Sequence, residues 1–289
     1  MERPGWWQRM TAWPGLLLNR KVDPGKLYDL RGDAAIEGSG DTPLVNMGYW
    51  VGLAPSDAES LKLANHALFR LVASGAAIGP EDDHVIDAGC GFGTNAALVA
   101  SEFGPRRVTG VNVSAVQLAS AGRRIGAAGL ADRVDFLCAS VTALPHDAES
   151  VDVVVSVEAA FHFDTREAFF SEAFRVLKPG GRLSMVDLVI PAPRNAWERT
   201  AADLICRSQA VPRANLYGVA EWIQRVRAAG FVVEQEESII DRVFPAFRRW
   251  VLTRPPWVNL RYDLMYLAAS LPYLVYPLDY VRLVARKPG

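Results

Sequence analysis

Short apolar runs alternate with longer segments of helical periodicity through the middle of the chain. Five of these runs predict buried strands, at residues 84–88, 107–113, 134–139, 151–157 and 182–190. The run at 151–157 (VDVVVSV) is nearly all valine, which is typical of a strand buried on both faces. This strand–helix alternation predicts an α/β fold in which a doubly wound, mostly parallel sheet carries helices on both faces.

Two of the intervening segments predict helices with clear ends. The first begins at Asp164, which has the spacing of an N-cap to Glu167, and stops at residues 178–181 (KPGG). The second runs from Val219 to Ala229, and Gly230 ends it. Because ligands of such sheets bind at the carboxyl ends of the strands, the chemistry is expected in the loops that follow them.

The two ends of the chain lack this rhythm and are rich in aromatic residues. We predict an N-terminal cap over 1–60, a core over 61–190, a cap and substrate segment over 191–279 with a late core helix and strand at 218–238, and a final core strand over 280–289. The caps are expected to form an α-helical and aromatic lid over the open edge of the sheet. Packing on the surface is the alternative.

Composition and charge exclude several classes of protein. Of 289 residues half are hydrophobic, and 31 basic against 32 acidic side chains leave a net charge of −1, which excludes intrinsic disorder and argues against nucleic-acid binding. Three scattered cysteines predict neither a disulfide framework nor a zinc cluster, and they favour a cytoplasmic location. A homodimer is compatible with the sequence, although no residue pattern argues for one.

Membrane insertion is not predicted. The apolar run at 16–18 is shorter than the hydrophobic region of a signal peptide. The longest uncharged apolar stretch, residues 264–278, is too short to span a bilayer as a helix and contains Pro272 and Pro277.

Three glycines, Gly89, Gly91 and Gly93, follow the first predicted strand and open a helix. Glycine allows positive φ and a close approach of the backbone to a ligand. The G-x-G-x-G spacing differs from that of dinucleotide binders, and no Lys-Ser/Thr follows as a phosphate loop requires. The loop therefore predicts an uncharged or zwitterionic cofactor.

Residues 87–93 (DAGCGFG) resemble the first motif of class I S-adenosylmethionine-dependent methyltransferases. Further segments resemble motifs of this family, at 46–50 (NMGYW), 110–114 with Gln117, 140–145, 158–162 and 177–181. The likeness runs from about Asn46 to the C-terminal residues and is greatest to natural-product methyltransferases, including those of macrolide sugars. It implies a Rossmann-like, seven-stranded sheet, S-adenosylmethionine as cofactor and S-adenosylhomocysteine as product.

The resemblance also implies a set of cofactor-binding residues. They are Tyr49, Trp50, Asp87, Gly89, Gly91, Gly93, Asn95, Asn112, Val113, Gln117, Ser140 and Val141. Two of them depart from the family pattern: Asn112 stands where most members hold the ribose with Asp or Glu, and Ser140 where an Asp often faces the adenine amine. Without charge assistance, the hydrogen bond of an amide should be weaker.

Three residues are candidates for the chemistry of methyl transfer. His162 lies just beyond the fourth strand, where an imidazole could act as general base near neutral pH, and a structural histidine is the alternative. Glu158, at the tip of that strand, could bind cofactor or acceptor, act as the base, or cap a turn. Asp187 lies in an apolar run and is expected to orient His162, because a carboxylate is costly to bury without a partner.

The acceptor is predicted to contact Phe161, Arg249, Trp250 and Tyr262. The arginine-rich stretch 242–261 is either the solvated face of a helix or a site for a diphosphate. We predict methyl transfer to a hydroxyl of a hydrophobic secondary metabolite, a macrolide or polyketide or its sugar, without a metal. The alternatives are methylation of an isoprenoid or other alkene at carbon, with Glu158 as base, and a cyclase or binding protein that uses the cofactor without methyl transfer.

Overall fold

A computed structural model describes residues 46–253 and 276–289 of the protein. Several predicted features lie outside these ranges: Tyr262, most of the N-terminal cap, residues 254–261 of the arginine-rich stretch and residues 264–275 of the apolar stretch. The α-helices are α1 (Ala58–Gly75), α2 (Thr94–Leu98), α3 (Ala115–Ala127), α4 (Arg166–Val176), α5 (Ala196–Ser208), α6 (Val219–Ala228) and α7 (Ile240–Thr253). A π-helical turn, Val99–Phe103, extends α2, and 3-10 turns occupy Ala160–His162 and Arg213–Asn215.

Seven strands form one sheet in the order β3-β2-β1-β4-β5-β7-β6. They are β1 (His84–Ala88), β2 (Arg107–Asn112), β3 (Val134–Cys138), β4 (Val151–Val157), β5 (Leu177–Val189), β6 (Val232–Ser238) and β7 (Asp279–Arg286). The first five pair in parallel, and β7 runs antiparallel between β5 and β6. The order reverses between β1 and β4, so the ligand crevice is expected at the carboxyl ends of these two strands.

Alternate residues of the central strands point to two separate hydrophobic layers. Val85 and Val153 pack in a cluster with residues of α1 and α7, whereas Ile86 and Val154 pack in a second cluster with residues of α4 and α6. Because successive side chains of a strand point to opposite faces, the two clusters are the two faces of the sheet. The predicted fold class, a mostly parallel sheet covered by helices on both sides, is confirmed.

The fifth strand begins earlier than predicted. Val151 pairs with Leu177 but Val153 pairs with Arg182, so the four residues 178–181 bulge out of the ladder. Gly180 lies in this bulge with φ 79°, a conformation that favours glycine. The KPGG segment is therefore an irregularity within β5 and not a turn before it.

Helix α4 is capped one residue later than predicted. Thr165, not Asp164, is the N-cap, and its hydroxyl accepts from the backbone N–H of Ala168 at 3.3 Å. An N-cap side chain must reach the N–H of the third helical residue, and here that residue is Ala168. Among the described residues, no helix is both long and apolar enough to cross a bilayer.

Candidate active site

The glycine loop between β1 and α2 is pressed against the turn that follows β4. Gly89, Gly91 and Gly93 all have positive φ, of 78°, 53° and 73°. A Cβ on Gly89 would lie 2.4 Å from the Cβ of Ala159, and one on Gly93 would lie 2.6 Å from the ring of Phe136. Both the backbone conformation and the lack of space therefore require glycine at these two positions.

Among the described residues, four buried polar atoms without a hydrogen-bond partner belong to side chains that line a small pocket beside this loop. Two can only accept, Asp87 Oδ2 and Asn95 Oδ1, and two can donate, Asn46 Nδ2 and Thr94 Oγ1. Buried polar atoms are ordinarily paired, so this set indicates a ligand. An amino-acid end would satisfy it, with its ammonium on the acceptors and its carboxylate on the donors. The methionine end of S-adenosylmethionine fits these residues.

The four side chains of Asn46, Asp87, Thr94 and Asn95 together are the cofactor cradle. Asp87 supplies its negative charge. Asn95 Nδ2 donates to its Oδ1 at 2.9 Å, and burial raises the pKa of the carboxyl to about 7. A buried carboxylate is stabilised by a nearby cation, so an ammonium placed here would lower this pKa again.

The loops after β2 and β3 hold the residues predicted to contact ribose and adenine. Asn112 Nδ2 donates to Gln117 Oε1 at 2.7 Å, and Asn112 Oδ1 accepts from Val113 N–H at 2.9 Å. The hydroxyl of Ser140 lies 2.7 Å from that of Thr142, and the neighbouring Val141 is buried. Both predicted departures from the family pattern are thus neutral side chains held by local hydrogen bonds.

Glu158 is the residue at which three separate parts of the chain meet. Its Oε1 accepts from the backbone N–H of Met47 at 2.6 Å and from the hydroxyl of Tyr280 in β7. Burial raises the pKa of Glu158 to about 7, against the lowering effect of these two bonds. The backbone of Glu158 is in the left-handed region, with φ 47°, which is uncommon outside glycine and typical of functional sites.

His162 lies in the 3-10 turn directly after this residue and is buried, 6% exposed. Asp187, the predicted partner of its imidazole, accepts hydrogen bonds from other groups. Asp187 Oδ1 accepts from the backbone N–H of Phe161 at 3.2 Å, and Oδ2 accepts from Arg166 Nε at 3.0 Å. The expectation that Asp187 directly orients the His162 ring is therefore corrected: the fully buried Arg166 needs a counter-charge, and Asp187 supplies it.

The residues predicted to touch the acceptor are divided between the turn and the core. Phe161 lies beside His162, with ring centroids 3.8 Å apart. Trp250 is 1% exposed and its indole N–H donates to the carbonyl of Asp57 at 2.6 Å, so it anchors α7 to the start of α1 instead of lining an acceptor site. Arg249 is exposed on the same helix.

The two aromatic side chains of the segment 46–50 that are predicted to bind the cofactor differ in their surroundings. Trp50 is 4% exposed and donates from its indole N–H to the carbonyl of Met47 at 2.7 Å, so it is corrected to a packing residue of this segment. Tyr49 is half-buried, and its backbone N–H donates to the carbonyl of Ala64 at 2.8 Å. Gly48 allows this contact, because a Cβ there would lie 2.6 Å from that of Ala64.

Sequence reasoning missed several residues of the site: Asn46, Thr94, Arg166, Asn215 and Tyr280. Asn46 lies within the segment 46–50 that resembles a family motif, and Thr94 directly follows the glycine motif, so the position of both is a usable signal. Tyr280 is 122 residues from Glu158, and no local pattern marks it. Within the described ranges, no three His, Cys, Asp or Glu side chains form a group that could hold a metal ion.

Known proteins resemble this chain at both the sequence and the structural level. A family model described as a methyltransferase domain matches residues 86–185. Erythromycin 3''-O-methyltransferase of Saccharopolyspora erythraea is 34% identical over 209 residues, which are 69% of this chain and 65% of that protein. The match thus spans just under two thirds of that relative's length.

A second relative is matched over more of its length. The 27-O-demethylrifamycin SV methyltransferase of Amycolatopsis mediterranei is 31% identical over 238 residues, 81% of this chain and 79% of that protein. Among solved structures, the cyclopropane synthase MmaA2 of Mycobacterium tuberculosis shares the fold, with a TM-score of 0.73 at 18% identity over 91% of this chain and 97% of that one. With this sheet, this cradle and these relatives, the chain belongs to the class I S-adenosylmethionine-dependent methyltransferases of natural-product type.

Proposed function

We propose that the protein transfers a methyl group from S-adenosylmethionine to a hydroxyl of a hydrophobic natural product, with His162 as the general base. The observation that carries this proposal is the contact between Gly89 of the cofactor loop and Ala159 of the turn that carries His162. Because the two segments touch, the turn that carries His162 adjoins the cofactor loop, which supports a role for its imidazole in methyl transfer. The relatives named for erythromycin and rifamycin substrates support a macrolide, polyketide or attached sugar as acceptor.

The residues of the chain would divide the work as follows. When bound, S-adenosylmethionine would supply an activated methyl group, which passes to the acceptor oxygen as the carbon–sulfur bond breaks and S-adenosylhomocysteine is left. Asp87, Asn95, Asn46 and Thr94 would hold its amino-acid end, and Asn112 and Gln117 would face its ribose. His162 takes the proton of the acceptor hydroxyl. Since the cofactor is already activated, alignment and this proton transfer are what the protein must add.

A second candidate function is favoured by Glu158. A carboxyl with a pKa of about 7 at the tip of β4 could remove a proton after methylation of an alkene carbon, as in an isoprenoid. Within the part of the chain that the structure describes, both hydrogen bonds of the Glu158 carboxylate fall on Oε1, so the lone pairs of Oε2 are left for a ligand.

The discriminating experiment uses S-adenosylmethionine with a labelled methyl group against two pools, macrolide and polyketide glycosides and prenyl diphosphates. We expect label in the first pool and a fall in kcat of about 10²–10⁴-fold in His162→Ala, the usual range for loss of a general base. Label in the second pool, with Glu158→Gln as the inactive variant, would replace the proposal by carbon methylation. Cofactor binding without label in either pool would favour a non-methylating cyclase or binding protein.

A further inference from the structure

A fully buried polar cluster lies directly behind the turn that carries His162. Its members, Arg166, Asp187 and Asn215, are each 0% exposed. The guanidinium of Arg166 donates from Nε to Asp187 at 3.0 Å, from Nη1 to the carbonyl of Asn215 at 3.0 Å, and from Nη2 to the carbonyl of Leu188. The start of α4, the end of β5 and the Arg213–Asn215 turn are thus joined by one charged group.

Asn215 ties the turn on both sides of His162. Its Nδ2 donates to the carbonyl of Phe161 at 3.1 Å and to the carbonyl of Phe163 at 2.8 Å. Its Oδ1 accepts from the backbone N–H of Arg166 at 3.1 Å. Asp187 adds a third tie, because it accepts from the backbone N–H of Phe161. The residues immediately before and after His162 are therefore fixed by a single side chain.

The buried network of Arg166, Asp187 and Asn215 fixes the position of the backbone around His162 more than it adds to the stability of the fold. A buried ion pair loses its hydration, and replacing such a pair by apolar residues is often neutral or stabilising. A network whose members are all hydrogen-bonded, by contrast, rigidifies the backbone that it contacts. Asn215 belongs to the predicted cap and substrate segment, residues 191–279, and it contacts the turn across more than 50 residues of sequence.

We propose that Asn215 is a positioning residue that holds the His162 imidazole in place for proton transfer, an inference that rests on the proposed function of His162. Removal of the amide frees two backbone carbonyls that flank the base. A small misplacement of a catalytic group can lower the rate by two orders of magnitude. The four side chains that would hold the amino-acid end of the cofactor lie on β1, on α2 and at Asn46, so cofactor binding should be unaffected.

The test compares Asn215→Ala with a matched control, Ser184→Ala. Ser184 is also fully buried and donates to the carbonyl of Val72 at 2.8 Å, away from the turn. For Asn215→Ala we expect kcat to fall 10–100-fold while the Kd of S-adenosylhomocysteine changes less than twofold, and Ser184→Ala should keep its kcat. If Asn215→Ala does not fold, Asn215→Ser retains one donor and should show an intermediate kcat.

A spectroscopic measurement separates this inference from the function on which it rests. The chain has four histidines, so the ring resonance of His162 can be assigned by its loss in His162→Ala. We expect Asn215→Ala to shift this resonance and no other histidine, and to change the rate less than twofold in the His162→Ala background. A fully active His162→Ala would refute the base, and the resonance would still report on the turn. An unshifted resonance with wild-type kcat would overturn the positioning role.

Discussion

At the scale of single residues, the site is defined by groups whose ordinary chemistry is altered by burial. The pKa of Asp87 and that of Glu158 are both raised to about 7, and that of Asp187 to about 6. For Asp187 the Arg166 guanidinium opposes the effect of burial, so at neutral pH this pair is charged. Asp87 has no cation beside it among the described residues, which is what an ammonium-binding carboxylate requires before its ligand arrives.

Cofactor binding should therefore release a proton at the Asp87 site. The carboxyl is half protonated near pH 7, whereas the α-amino group of the cofactor, with an ordinary pKa of about 8, is charged there. Binding favours the carboxylate, so affinity should rise with pH up to about 7. Calorimetry of S-adenosylhomocysteine binding in two buffers of different ionisation enthalpy measures this release. Asp87→Asn should abolish the release and weaken binding, and an unchanged release in this variant would contradict the assignment.

The same shift has an opposite effect on the ligand-free fold. A carboxyl whose pKa is raised from 3.8 to about 7 stabilises the fold only at low pH, and this contribution is lost as pH rises through that window. Ligand-free protein is thus expected to lose stability toward neutral pH at this residue, and the cofactor to restore it.

Gly89→Ala tests the contact between the two loops. The new Cβ would meet Ala159 at 2.4 Å with φ at 78°, so either the cofactor loop or the catalytic turn must move. We expect affinity for S-adenosylhomocysteine to fall at least tenfold, measured by calorimetry. Gly122→Ala is the control, because this glycine lies inside α3 with no atom within 4 Å of the new Cβ. It should leave affinity unchanged and raise stability by about 0.5–1 kcal/mol.

At the scale of elements, helix α7 shows that its part of the arginine-rich stretch has one buried side and one solvent-exposed side. Val243, Phe247 and Trp250 are buried on one side, while Arg242 on the other side forms an ion pair with Glu237 at 2.5 Å. Over residues 242–250 the stretch is thus an amphipathic helix with a solvated face, which supports the simpler of the two interpretations. The part from 254 to 261 lies outside the described residues.

The start of α4 gives a prediction at this scale. Thr165→Ala removes the N-cap hydroxyl and should lower the free energy of unfolding by about 1 kcal/mol. Thr165→Ser keeps the hydroxyl and should stay near wild type. Denaturant unfolding of both variants measures the difference, and equal stability would show that the cap contributes nothing.

At the scale of the whole molecule, the site is assembled from distant parts of the chain. The Glu158 carboxylate joins β4 to Met47 near the described N-terminal end and to Tyr280 in β7. The antiparallel β7 makes this possible, since its first residues lie beside the carboxyl end of β5.

The cytoplasmic location and the homodimer remain predictions.

Tyr280→Phe tests this assembly. The phenol hydrogen bond lowers the pKa of Glu158, so its loss should raise that pKa further above 7. The acidic limb of the kcat/KM profile should then move to higher pH if the Glu158 carboxylate is needed. Tyr276→Phe is the control, because the Tyr276 hydroxyl donates to the carbonyl of Pro191 at 2.7 Å instead. Identical profiles for the two variants would contradict a role for the Glu158 bond.

The sheet, the glycine loop and the class of cofactor could be predicted from the amino-acid sequence. These depend on local signals: valine runs such as 151–157, closely spaced glycines of the kind that a tight loop requires, and motifs that each span only a few residues. One error was local in kind: the cap was placed at Asp164 instead of Thr165, because neighbouring polar residues compete for the same N-cap role.

Only the tertiary structure decided how the site is held together. Arg166, Asn215 and Tyr280 reach their partners across 21 to 122 residues, and hydrogen bonds at that separation leave no periodic trace in a sequence. The predicted pairing of Asp187 with His162 was wrong for the same reason, because Asp187 pairs instead with the buried Arg166, which is 21 residues away. Trp50 and Trp250 are packing residues because the core closes over them, which depends on the position of α7 against α1.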